Sequence, residues 1–420
     1  MFDDLQIYDR RDRMLVGLAD VALRAAATLG GLAGLDALGQ RRRRGSTPAR
    51  RVLLLRLERI GDLLMALDAI AAVRRLVPEA EIDLVVGSWN EPLARLIPGV
   101  STVSTLDAPW LAREEGGPGF ASLLQRAAAW ASRHYDVAIN FEGDIRSHLL
   151  MARSRAPVRV GFDMAGGGPL LTHRVAFDPT RHTAWNCLRL VRAAAPLLTG
   201  RTSDGDVPDQ PSMRPTLAPP AEALEHVDRV LRDRGVADRP LVGLHAGGGR
   251  AVKQWPPERF GAVVGRLASD VGAAVVLTGG PGDRPMADAA RRALPGAVPV
   301  VDLVGDADLV SLAAWLARCT IVVTGDTGPM HLAAAVGTPV AAVFGPSDER
   351  RYAPLVISHR IVARRDDLPC APCNKIRLPP APCRNVTPAC LDGLPADRLH
   401  DAVRSLWDEA GRARRPGARS

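Results

Sequence analysis

Four stretches in the second half of the chain follow one plan, a short apolar run that ends directly in a glycine-bearing turn. They are PLVGLHAGGG (240–249), AAVVLTGGPGD (273–283), CTIVVTGDTG (319–328) and PVAAVFGPSD (339–348). Runs that are short and continuously apolar fit strands covered on both faces, as in a parallel sheet. The second and third run on into helical patterns. Strand carboxyl ends of this kind are where open α/β sheets bind ligands.

The first half repeats the theme. VLLL inside ARRVLLLRLERIGD (49–62) reads as a buried strand, RIGD as a tight turn, and DLLMALDAIAAVRRLVP as a helix stopped at Pro78. EIDLVVG (81–87), DVAINFEG (136–143) and VRVGFD (158–163) read as further strands. Between the halves lies TSDGDVPDQPSMRPTLAPP (202–220), polar and rich in proline, the clearest linker. The expected layout is an N-terminal extension (1–48), an α/β domain (49–205), a linker (206–220), a second α/β domain (221–395), and a closing helix with a basic tail (396–420). Two such doubly wound domains would enclose a crevice, a favoured place for a pocket.

The extension contains MLVGLADVALRAAATLGGLAGLDAL (14–38), which carries Asp20, Arg24 and Asp36 and is too charged to span a bilayer. It reads either as an interfacial helix followed by the polybasic run RRRR (41–44), or as an Ala-rich helix packed on the body. The first reading puts the chain on a membrane surface.

The chain has 54 basic and 46 acidic residues, a net charge of +8 that favours acidic partners. Aromatic residues make up only 4%, and the charges are spread thinly. That argues against a nucleic-acid partner, which wants a stacking platform in a basic groove. Lys253 and Lys375 are the only lysines, and arginine fills every other basic position.

In GDTGPMHLAAA, Gly325 and Gly328 allow close backbone approach, Asp326 can accept hydrogen bonds, and Thr327 can cap the helix or donate to a phosphate. The free amides at such a helix start form an anion site. In HAGGGRAVKQWPPERF (245–260), Gly247, Gly248 and Gly249 make another close-approach turn, with Lys253 just beyond. A lysine offers a compact point charge, suited to a diphosphate. TGGPGDR (278–284) adds a third turn, in which Asp283 can meet a ribose or a base edge. No Walker loop and no dinucleotide fingerprint is present, which argues against an NTPase and a dehydrogenase. Asp62, at the end of RLERIGD, reads either as the cap of the next helix or as a general base.

RIGDLLMALDAI, HAGGGRAVKQWP, TGGPGDR and TGDTGPMHLAAAVGTPVAAVFGPSD, in that order, resemble glycosyltransferase family 9, the bacterial heptosyltransferases of the lipopolysaccharide inner core. The resemblance covers about residues 50–395. It implies a GT-B fold of two Rossmann-like domains, an ADP-heptose-type donor, an anionic glycolipid acceptor, inversion at the anomeric carbon, and catalysis needing no cofactor or metal. It implies work in the cytoplasm or on the cytoplasmic face of the inner membrane. Asp62 resembles the family's catalytic base, Lys253 its donor-phosphate lysine, and Asp326, Thr327 and Gly328 its diphosphate loop, with His331 one turn on. Gly247, Gly248 and Asp283 complete the donor set. Arg59 and, in FEGDIRSHLL and RHTAWNCLRL, Arg146, His182 and Asn186 are the acceptor contacts the resemblance implies. A protein that kept the fold for binding or scaffolding without chemistry is the other class of reading.

Cys370, Cys373, Cys383 and Cys390 are spaced C-x2-C-x9-C-x6-C. That pattern can hold a structural zinc, and it also admits reduced thiols or a disulfide.

Overall fold

The computed structural model describes residues 10–28, 47–111, 118–201, 206–365, 368–373, 383 and 388–413. The polybasic run 41–44 and Lys375 lie outside them. The chain forms two compact units, Met1–Pro211 and Ser212–Ser420.

In the first unit six strands form one sheet in the order β3-β2-β1-β4-β5-β6. They are β1 (Arg51–Arg56), β2 (Glu81–Val86), β3 (Thr102–Thr105), β4 (Val137–Asn140), β5 (Val158–Phe162) and β6 (His173–Val175). Every pairing is parallel. Leu53, Leu54 and Leu55 are all fully buried, so the apolar run in β1 does serve both faces of the sheet. Helices Leu67–Leu76 and Thr183–Thr199 pack against each other over this sheet.

The second unit repeats the topology. Its strands are β7 (Leu241–His245), β8 (Ala274–Leu277), β9 (Val300–Asp302), β10 (Ile321–Gly325), β11 (Val340–Phe344) and β12 (His359–Ala363). Their order is β12-β11-β10-β7-β8-β9, again all parallel. Both units therefore reverse strand order beside their first strand, at β1/β4 and at β7/β10. A doubly wound sheet opens a crevice at such a switch point.

Three sequence expectations change in detail. The helix expected from Asp62 to Pro78 is two helices, Ile60–Leu64 and Leu67–Leu76. The break has a cause. The Asp62 carbonyl, which Ala66 would use in an unbroken helix, accepts from Arg56 Nε at 3.0 Å. The Ala66 amide turns to the Leu63 carbonyl at 2.9 Å instead.

The proline-rich linker is tied down on both sides of the unit boundary. Arg192 donates to the carbonyls of Val207 and Pro208 in the first unit. In the second, the amides of Thr216 and Leu217 donate to the Ala335 carbonyl, and Pro215 sits on Gly337.

The closing helix, Ala396–Ala413, is integral to the second unit. Leu399, Val403, Leu406 and Ala410 are buried in the same core as Trp255, Phe260 and Val275.

The N-terminal helix, Arg10–Thr28, packs on the first unit. No helix among the described residues is long and apolar enough to cross a membrane.

Candidate functional site

The turn after β1 is built around a buried charge. Arg56, the last residue of β1, is 2% exposed. Its Nη1 donates to the Phe141 carbonyl at 2.9 Å and lies 3.0 Å from Glu58 Oε2. Burial alone would make this guanidinium easier to deprotonate, but Glu58 and then Asp62 more than offset it, so its charge is secure.

Asp62 sits in the first turn of Ile60–Leu64. Its Oδ2 accepts from the Arg59 amide at 3.3 Å, and its Oδ1 lies 3.6 Å from Arg56 Nη2. The side chain is 24% exposed, so the carboxylate is braced from behind and reaches solvent in front. Arg59 is the helix's N-cap residue and is half-buried.

Across the switch point stands Glu142, which sequence reasoning passed over. It follows β4 and is 4% exposed. Its Oε1 accepts from the amides of Leu57 and Glu58, the latter at 3.1 Å, so it fixes the turn that leads to Asp62. Burial, then repulsion by Glu58, pushes its carboxyl up to about 8. Asn140 supports it, accepting from the Glu142 amide at 3.0 Å while Nδ2 donates to His148 Nδ1 at 2.9 Å. With Nδ1 accepting, His148 Nε2 donates to the Phe162 carbonyl at 2.7 Å, and burial keeps this ring neutral. Arg56 and Glu142 had one sequence signal: each is a charged residue at the end of an apolar run, RVLLLR (51–56) and DVAINFE (136–142).

The remaining first-unit candidates separate. Arg146 is partly exposed, clamps Asp144 at 2.9 and 2.6 Å, and stacks 4.5 Å from the Trp110 ring. His182 caps the helix Thr183–Thr199, its Nδ1 accepting from the Ala184 amide at 3.1 Å. Asn186 is fully buried and spends both ends of its amide on the Asp178 backbone, at 2.9 Å each, so it braces the segment before that helix.

In the second unit the switch point gathers the glycine-rich turns. Lys253 lies in a short turn after β7, and Asp326 follows β10. Lys253 Nζ is 2.6 Å from Asp326 Oδ2. That oxygen accepts no hydrogen bond of good angle, so the contact is charge against charge. Asp326 is buried and the Lys253 side chain is 19% exposed, so the ammonium is held on an acidic seat while part of the lysine reaches solvent.

Around them, Gln254 Nε2 donates to the Gly248 carbonyl at 2.7 Å. Asp283 Oδ2 accepts from the Gly280 amide at 2.9 Å. A Cβ on Gly247 would fall 2.4 Å from Asp283 Oδ1, so the two turns can meet only through glycine. Thr327 stands at the N-cap position of the helix Gly328–Ala335, but its side chain caps no amide; its Oγ1 instead lies 3.1 Å from Thr324 Oγ1 and donates to the Gly325 carbonyl at 3.4 Å. Gly328 is the first helical residue, and His331 is buried one turn in. The structure thus brings Gly247, Gly248, Lys253, Asp283 and Asp326 to Gly328 onto one strand-end surface, with His331 beneath.

The cysteines are all free thiols. Cys390 is buried, its thiol pushed up to about 11 by burial and then by Cys373 and Cys383, an environment that disfavours thiolate. No three His, Cys, Asp or Glu side chains converge as a metal set among the described residues. The zinc expectation therefore rests on spacing alone.

Comparison with known proteins gives three findings. A family model for glycosyltransferase family 9 (heptosyltransferase) matches residues 127–380. The lipooligosaccharide heptosyltransferase 2 of Haemophilus influenzae is 26% identical over 310 residues, covering 70% of this chain and 83% of that protein. The lipopolysaccharide heptosyltransferase 2 of Salmonella typhimurium is 26% identical over 314 residues, covering 72% and 85%.

Among solved structures, the Escherichia coli ADP-heptose lipopolysaccharide heptosyltransferase II superposes with a TM-score of 0.67 at 20% identity, covering 86% of this chain and 99% of that one. A glycosyltransferase of family 9 from Veillonella parvula gives 0.70 at 20% identity, covering 87% and 99%. An E. coli heptosyltransferase with ADP gives 0.60 at 19% identity, covering 86% and 99%. These likenesses establish the GT-B fold.

Proposed function

Because the chain belongs to glycosyltransferase family 9, we propose that it moves a heptose-type sugar from an ADP-linked donor to a hydroxyl of a lipopolysaccharide-core glycolipid at a membrane surface. That it is a glycosyltransferase follows from the family and from heptosyltransferase relatives near 26% identity. The acceptor class is carried over from those relatives, named for lipooligosaccharide and lipopolysaccharide, and the donor from two of the solved structures, one described as an ADP-heptose enzyme and another with ADP.

The observation that carries the mechanism is that each unit's switch point bears one of the two charges the reaction needs. The second has a partly exposed lysine amid glycine-rich turns, and the first has a braced, partly exposed carboxylate. In this mechanism the acceptor oxygen attacks the anomeric carbon as the bond from that carbon to the diphosphate breaks. The bonding pair leaves with ADP, and the acceptor proton passes to Asp62. Lys253 and the amides at the start of Gly328–Ala335 take up the charge growing on the leaving phosphate. Asp326 orients Lys253 and, when diphosphate arrives, exchanges an ammonium contact for a shared one. Gly247 and Asp283 shape the surface for the nucleotide. Arg59, Arg146 and His182 supply positive or hydrogen-bonding groups for a phosphorylated acceptor.

The test is ADP release from ADP-heptose, with and without a core glycolipid acceptor. Asp62→Ala is expected to abolish acceptor-dependent release while leaving ADP affinity within about twofold, since it removes a group that acts only on the proton. Wild-type turnover in Asp62→Ala would sink the reading.

A further inference from the structure

The N-terminal helix Arg10–Thr28 carries a feature that sugar transfer does not explain. Among the described residues only five large apolar side chains are exposed, and four of them, Met14, Leu15, Leu18 and Val21, lie on this helix at 58, 57, 55 and 52%. Met14, Leu18 and Val21 follow the three-to-four residue spacing that puts them on one stripe, with Leu15 at its edge. A contiguous apolar stripe on a soluble surface marks a contact site.

The opposite side of the helix is firmly docked. Asp20 is buried, and its Oδ1 accepts from the Gly167 amide at 2.8 Å while Oδ2 pairs with Arg24 at 2.7 Å. Val16 packs so closely on Gly166 that a Cβ there would fall 2.6 Å from its Cγ1. Gly166 and Gly167 have φ of +81° and +79°, which allows this approach. The helix is therefore held with its stripe facing out. Its dock is the loop after β5, at the carboxyl edge of the first sheet, the edge that also bears Asp62 and Glu142.

We propose that this stripe is a docking surface for an anionic lipid bilayer, seating the carboxyl edge of the first unit on the membrane that holds the acceptor. The occupant is chosen by charge. The helix sequence carries Arg10, Arg11, Arg13 and Arg24 against Asp12 and Asp20, and the whole chain is +8. By helical spacing the exposed Arg10 borders the stripe at Val21 and the exposed Arg11 lies within its arc, while Arg24 is engaged with Asp20 on the docked side. An apolar face with a basic flank sinks into the headgroup boundary of an anionic leaflet, and its binding weakens with salt. The inference deepens the glycolipid-acceptor reading but is tested without it.

The full-length chain is mixed with phosphatidylethanolamine vesicles containing phosphatidylglycerol, without glycolipid or donor, and with phosphatidylcholine vesicles as control. Co-sedimentation is measured for wild type, for the double variant Leu15→Ser/Leu18→Ser, and for Leu15→Ile/Leu18→Ile. Expected are preferential binding to the anionic vesicles, binding reduced by about tenfold or more in the serine variant, and binding retained in the isoleucine variant. Circular dichroism and ADP affinity are expected to match wild type throughout, because these side chains are exposed.

Three outcomes overturn the proposal: no vesicle binding by wild type, equal binding by the serine variant, or equal binding to both lipid types. A fourth is a wild-type dimer in sedimentation analysis that the serine variant converts to monomer, which would give the stripe to a second copy of the chain. Failure here leaves transfer to a detergent-solubilised acceptor untouched, so the two readings fall separately.

Discussion

Arg56 holds Asp62 by two atoms at once, donating to its carbonyl at 3.0 Å and standing 3.6 Å from its carboxylate. One buried guanidinium thus ends the first helix early and faces the carboxylate that the helix carries. Arg56→Met should cost about 3–5 kcal/mol, because it removes the buried cation that the Glu58 and Asp62 carboxylates face. Urea unfolding monitored by circular dichroism measures this, and a loss below about 1 kcal/mol would show the network to be dispensable.

Asp62→Asn keeps the shape and the bond from the Arg59 amide but cannot take a proton. Turnover should fall by about a hundredfold to ten-thousandfold, with donor affinity nearly unchanged. Steady-state kinetics alongside calorimetric ADP titration separates the two quantities.

Lys253 faces Asp326 at 2.6 Å and reaches solvent. Lys253→Met should lower kcat by about a hundredfold to a thousandfold, the scale of removing one preorganised charge at a site of developing negative charge. Lys253→Arg should not restore it, since a broad planar fork does not fit the seat of a compact ammonium. Full recovery in the arginine variant would refute the point-charge role.

Glu142 gives a pH signature with a definite sign. Its carboxyl is raised to about 8, so between its ordinary range and that value the folded chain holds a proton that the unfolded chain has released. This contribution to stability is complete at acid pH and fades as pH rises toward 8. Glu142→Gln lacks the titration and can still accept from the Leu57 and Glu58 amides. Its thermal midpoint relative to wild type should therefore climb between pH 5 and pH 8, and a flat difference would contradict the assignment.

Gly247→Ala puts a methyl group 2.4 Å from Asp283 Oδ1. Relief requires the Asp283 turn to move, which should cost about 1–3 kcal/mol and weaken ADP binding more than it slows turnover at saturating donor. Isothermal titration against ADP reads the first effect, and kcat reads the second.

Local pattern carried most of the second unit's site. Each of its glycine-rich turns follows directly on an apolar strand, so Lys253 and Asp326 to Gly328 could be named from neighbours in sequence. The buried runs of β1, β7 and β10 likewise announced parallel sheets, because a strand covered on both faces has no polar alternation. What stayed hidden depended on partners far along the chain. Glu142 reaches a turn 85 residues earlier, and Arg56 reaches Phe141 over the same separation. No periodicity links such positions.

The sequence alone therefore determined which segments become strands, where they end in ligand-ready turns, and which charged types wait there, since these follow from apolar runs and glycine. Only the tertiary structure decided that β4 lies beside β1 and β10 beside β7. That adjacency sets Glu142 against the Leu57–Glu58 turn that leads to Asp62, and Asp326 against Lys253. Strand order is chosen by the packing of whole sheets, and contacts between distant residues exist only once that choice is made.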